Sequence, residues 1–176
     1  SLIKTWKDDY EYRMKPSREG YELFLGEFAE CKMNKIKDLD KFEFVKSVDS
    51  YVQTRRSEHY SYKMVVREVC HLEHENSNLK LVKNARELLN DPMDRVFFYY
   101  LCNNYLDGRT YLDTALKDIY DKQDKIIIES IRWLNEEHIL QTTGLAELGE
   151  QSFFGSVKVD LTDDGLELFL GEDADK

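Results

Sequence analysis

The densest group of metal-capable side chains is Cys70-His71-Leu72-Glu73-His74-Glu75. His71 and His74 lie one helical turn apart, a spacing at which two imidazoles reach one ion. A structural zinc site takes four ligands, and no second Cys/His pair completes this one, even with His59 and Glu75 counted. No metal is expected, and the segment reads as a solvated helix end with Cys70 inward. A second group is basic: Arg55, Arg56, His59, Lys63 and Arg67, with Tyr51, Tyr60 and Tyr62 among them. Cations interleaved with rings suit phosphate contact and base stacking, which makes this a candidate nucleic-acid stripe on the third helix and the turn before it. Glu58 and Glu68 interrupt it, and a solvated helix face accounts for the same residues. For catalysis the chain offers little. It has no nucleophile elbow and no HExxH, and periodicity brings no Ser, His and Asp together. The acidic pairs Asp8-Asp9, Glu136-Glu137 and Asp163-Asp164 fall at expected helix ends or surfaces. The expectation is a chain without catalytic residues, bound metal or cofactor.

These residues are positioned by a chain of 176 residues with 34% charged residues, 2 Pro and 8 Gly. A globular chain of that size buries roughly 70% of its unfolded surface, so it needs no staples. No apolar run approaches the ~20 residues of a membrane span. Cys31, Cys70 and Cys102 are odd in number and far apart, which fits reduced thiols and a cytoplasmic location. The chain opens at Ser1 with no signal pattern and closes on acidic residues, which fits a piece excised from a longer protein. From Leu2 to Leu89 apolar residues recur at three and four, with no convincing hairpin, so residues 1–90 read as an all-α bundle. Ser17 caps a helix carrying Tyr21, Phe24, Leu25 and Phe28. The next starts near Asp38 or Asp40 and runs through Phe42, Phe44, Val45, Val48 and Val52. A third covers Ser57 to Glu75, with Tyr62, Val65, Val66, Val69 and Leu72 inward. Asn76 and Ser77 cap a shorter helix, Leu79 to Leu89, with Leu81, Val82, Ala85, Leu88 and Leu89 on one face.

Asn90-Asp91-Pro92 is a helix stop and a helix start, and the domain boundary is placed there, between residues 90 and 91. Met93 to Tyr105 is apolar nearly all round and must lie between layers. Thr110 caps a short helix, Tyr111 to Tyr120; a second, Lys125 to Glu137, puts Ile127, Ile128, Ile131 and Leu134 on one face and Lys125, Glu129, Arg132, Asn135 and Glu136 toward solvent. Ile139-Leu140-Gln141-Thr142 reads as a strand, extended by Gly144 to Glu147. Gly149 to Gly155 is a loop carrying Phe153 and Phe154, Val157 to Leu161 is the returning strand, and Leu161-Thr162-Asp163-Asp164-Gly165 leads into a last helix ending at Leu170.

The order helix, helix, helix, hairpin, Leu-Thr-Asp-Asp-Gly helix over residues 93–171 resembles bacterial winged helix-turn-helix domains, in which the Lys125–Glu137 helix has the recognition position. A broader resemblance is to the region preceding the ATPase module of some bacterial AAA+ ATPases, where the exit reads Leu170-Gly171-Glu172-Asp173-Ala174-Asp175. That resemblance implies nucleotide-binding residues beyond Lys176, since no glycine here belongs to a G-x-x-x-x-G-K-[ST] loop. The fold expected is mainly α: a helical bundle, 1–90, packed on a winged helix, 91–176, with a small β-hairpin wing. Residues 1–90 carry 17 Lys and Arg against 16 Asp and Glu, whereas residues 91–176 carry 8 against 19, so the whole net charge of −10 lies on the second half. Cations supply most DNA affinity, and the recognition position offers Lys125 and Arg132 against Asp124, Glu129, Glu136 and Glu137. The wing adds one cation, Lys158. The reading is therefore a non-catalytic interaction module that meets a protein, or the rest of its own longer chain, through Glu129, Arg132, Glu136, Phe153, Phe154 and Lys158. The alternative is a dimeric bacterial regulator that binds DNA.

Overall fold

The computed structural model describes residues 3–8, 11–16, 36–105, 108, 110–151 and 155–171. They fall into two compact units, Ser1–Ile36 and Lys37–Lys176. In the first, β1 (Ile3–Asp8) and β2 (Glu11–Pro16) pair antiparallel with Ile3 opposite Pro16 and Asp8 opposite Glu11. This corrects the all-α reading of residues 1–90: Ile3, Thr5, Trp6 and Tyr12 are strand formers, but no glycine marks the reversal. The helix expected after Ser17, with Tyr21, Phe24, Leu25 and Phe28, lies outside the described residues, as do Phe153, Phe154 and the exit after Gly171.

The second unit is mainly helical with a small antiparallel hairpin after the helices. Helix α1 (Lys41–Glu58) starts where a capping box sets it: the Asp40 carboxylate accepts from the amides of Phe42 and Glu43, each at 2.8 Å, and the Glu43 side chain accepts from the Asp40 amide. It ends at His59, held left-handed at φ 55°, so α2 is Tyr62–Glu75 rather than a helix from Ser57. Asn76 C-caps α2 instead of starting the next helix; its amide donates to the Leu72 carbonyl and its oxygen accepts from Leu39 N. Helix α3 is Lys80–Leu88, with Leu81, Val82 and Ala85 buried but Leu88 49% exposed.

Helix α4 (Pro92–Tyr105) is buried without a break from Arg95 to Cys102, as its all-round apolarity requires. Tyr99 meets Phe44 of α1 edge to face at 5.0 Å. Arg95 is anchored at two points. Its guanidinium donates to both carboxylate oxygens of Glu73 on α2, at 2.7 and 3.0 Å, and to the Leu89 and Asn90 carbonyls that end α3. The boundary expected at 90/91 is thus no break in packing: one core runs from Leu39 to Phe169 because α4 belongs to both sides.

Helix α5 (Leu112–Ile119) is followed by α6 (Gln123–Leu134), the short α7 (Ile139–Thr142), strands β3 (Ala146–Gln151) and β4 (Val157–Leu161), and α8 (Asp163–Leu170). The strand expected at 139–142 is a helical turn because the His138 side chain caps it, Nδ1 accepting from Leu140 N at 3.2 Å. The hairpin pairs Ala146 with Leu161 and Leu148 with Val159, with a register shift before Gln151, so strand replaces the loop expected from Gly149 to Gln151. Tyr111 bridges Lys158 on the far edge of β4, and Val159 N donates to Thr110 O. Thr110 is therefore held by the sheet and makes no side-chain cap for α5. Thr162 caps α8, accepting from Gly165 N at 3.1 Å. Gly165 has no substitute here, since a Cβ would stand 2.1 Å from the Leu145 carbonyl oxygen.

Candidate functional site

Helix α6 carries two apolar faces, and the larger points outward. Trp133 is fully buried, stacked on His138 at 4.3 Å and 15° and lying 5.4 Å from Phe97 of α4. Once that indole turns inward, the helical period turns Ile127, Ile128, Ile131 and Leu134 to solvent. They are 49%, 44%, 52% and 57% exposed. Spaced i, i+1, i+4 and i+7, they make one aliphatic strip along the helix. The aliphatic face is therefore outward rather than inward, while Arg132, Asn135 and Glu136 are exposed as expected. Glu129, assigned to the solvent face, is buried; Arg132 bends over it from the rim, Nη1 donating to Oε1 at 3.1 Å.

Beneath the strip lies a group of titratable side chains. His138 Nε2 stands 3.8 Å from Glu129 Oε2 and 4.0 Å from Asp94 Oδ1. Since Nδ1 accepts from the Leu140 amide, a neutral ring carries its proton on Nε2, toward the carboxylates. Burial, and secondarily the Arg132 guanidinium, push His138 down to about 4. Burial, followed by the charges of Asp91 and Glu129, pushes Asp94 up to about 6. The group is enclosed by packing and works as a support for α6. The Trp133 indole N–H, also buried, finds no acceptor among the described residues.

Glu136 is exposed at φ 60° and closes α6 with a Schellman turn: its amide donates to Trp133 O at 3.1 Å and that of Glu137 to Arg132 O at 2.8 Å. Lys158 is drawn to Asp160 at 2.6 Å, and Glu147 sits opposite Asp160 across the hairpin, so the hairpin presents little net positive charge.

The basic stripe is not one surface. Arg55 is buried on α1; its guanidinium donates to the Lys117 and Asp118 carbonyls, both at 2.8 Å, and so caps the C-terminus of α5. Arg56 is paired with the Asp118 carboxylate at 3.1 Å, which also accepts from Tyr100 OH. His59 ends α1, and Lys63 lies exposed beyond the helix break. Arg67 is chelated by Glu68. Of the histidine pair, His74 is 84% exposed beside Glu75, and Glu75 is engaged by Lys37 at 2.7 Å. Among the described residues no three His, Cys, Asp or Glu side chains gather to hold a metal. Burial pushes the Cys70 and Cys102 thiols up, away from reactivity. No described helix is long and apolar enough to cross a membrane. Neither a family model, nor a characterised protein, nor a solved structure matches the chain.

Proposed function

We propose that this chain is a non-catalytic protein-interaction module, with residues 93–171 arranged as a winged helix whose recognition-position helix, α6, meets a protein partner. The observation that carries the reading is the exposed strip Ile127, Ile128, Ile131 and Leu134. A base-reading helix presents Arg, Lys, Asn or Gln to the groove, and aliphatic side chains on that face satisfy no base edge or phosphate. A contiguous aliphatic patch on an otherwise charged surface gains free energy only by being covered. In support of the winged-helix arrangement stand the order α4, α5, α6, hairpin, α8, and the isolated Tyr111–Lys158 bridge that ties the start of α5 to the hairpin.

The test is fluorescence polarisation with duplex DNA over a salt series, run beside the double variant Ile131→Gln, Leu134→Gln. The expected result is no DNA binding at low salt. A fluorescent probe of exposed apolar surface should bind the parent chain and lose most of its signal on the variant, with unchanged thermal stability. Tight DNA binding that weakens steeply with salt would overturn the proposal.

A further inference from the structure

Between α3 and α8 runs a groove of about 1220 Å³. Its accessible apolar lining is Leu88, Leu166 and Leu168, with the buried Leu145 beneath them, and its charged rim is Glu87, Asp163, Asp164 and Glu167 against the single cation Lys80. Leu88 is half-exposed although it lies on the apolar stripe of α3, whose other members are buried, so it presents apolar surface to the groove. Among the described residues none of the four carboxylates forms an ion pair, so an incoming cation displaces no partner among those residues.

We propose that this groove docks a basic amphipathic segment of a partner polypeptide, its aliphatic side chains on the leucines and its Lys or Arg heads on the acidic rim. The volume exceeds the roughly 300–1,000 Å³ of small-molecule pockets and suits the side chains of a short helix, as in helix-in-groove recognition. The rim charge selects against the other occupants. Phosphate is repelled by four carboxylates, and the half of a second copy that carries 8 Lys and Arg against 19 Asp and Glu, residues 91–176, brings acid to acid. The site is separate from the α6 strip and stands or falls independently of it.

The probe is a short synthetic peptide of leucine and lysine with helical spacing, titrated into the isotopically labelled full chain. Amide shifts should concentrate on α3, Thr143–Leu145 and α8. Neutralising the rim with Asp163→Asn, Asp164→Asn and Glu167→Gln together should weaken binding roughly tenfold or more, and Leu88→Ser severalfold, while Glu136→Gln with Glu137→Gln changes it less than about twofold. A peptide of equal charge with serine for leucine should bind at least roughly tenfold more weakly. Shifts that map to α6 or spread over the acidic surface, rim variants that bind as the parent does, or equal binding of the serine peptide would each overturn the proposal. Ile131→Gln should leave the titration unchanged, which separates this site from the reading of α6.

Discussion

Folding moves a proton from His138 to Asp94, and one substitution should expose it. In the unfolded chain Asp94 titrates at 3.8 and His138 at 6.5; in the folded chain Asp94 rises to about 6 and His138 falls to about 4. Between pH 4 and 6 the unfolded state holds an ionised Asp94 and a cationic His138, and the folded state a neutral acid beside a neutral imidazole. A carboxyl raised on folding contributes stability below its unfolded pKa that is lost as pH rises through the folded one. A depressed histidine contributes stability above its unfolded pKa that is lost as pH falls through the folded one. Over this window the two slopes oppose, and the pair leaves stability nearly flat with pH. Asp94→Asn removes one slope. The shift of about two units is worth about 3 kcal/mol, reduced to roughly 2 because the Asp94 side chain is 25% exposed. Relative to the parent, the variant should gain roughly that amount between pH 4 and 7, measured by urea unfolding followed through tryptophan fluorescence. A stability difference independent of pH, or His138 ring protons that titrate above pH 6, would refute the assignment.

Two further substitutions test how the elements are locked. Gly165→Ala drives a Cβ to within 2.1 Å of the Leu145 carbonyl, so α8 must shift off the hairpin; a loss of about 3 kcal/mol or more is expected in urea unfolding. Arg55→Met keeps the apolar stem but strips two hydrogen bonds from the end of α5, which should cost about 2 kcal/mol. A change under about 0.5 kcal/mol would mean that Arg55 is a surface residue after all.

What was legible in the sequence was local. The helix start near Asp38 or Asp40, Pro92 after Asp91, the unbroken apolar run of α4, the alternation of Val157 to Leu161 and the capped start after Leu161 each carry their own stereochemistry, and each appears where expected. The failures needed information from elsewhere in the chain. A left-handed histidine ends α1 where glycine would have announced the break. Residues 139–142 hold the β-branched Ile139 and Thr142, yet a histidine one position earlier captures the first free amide and turns them into helix.

The site failed for a different reason. Periodicity grouped Ile127, Ile128, Ile131 and Leu134 correctly, but a helix with apolar residues on two sides does not say which side is inward. Four aliphatics outweigh one tryptophan in a tally of hydrophobicity. The tryptophan prevails because its ring has matching partners, Phe97 and His138, at stacking distance, whereas the aliphatic strip finds none within the described fold. Placing Trp133 inward also carries Glu129 inward, and a buried carboxylate persists only with charge or hydrogen-bond partners, which Arg132 supplies at 3.1 Å. The packing of Trp133 on His138 and Phe97 keeps the aliphatic face of α6 outward, as the proposed protein contact requires. The acidic charge of this half argued against DNA; the orientation of α6 argues separately for a protein, since neither conclusion depends on the other.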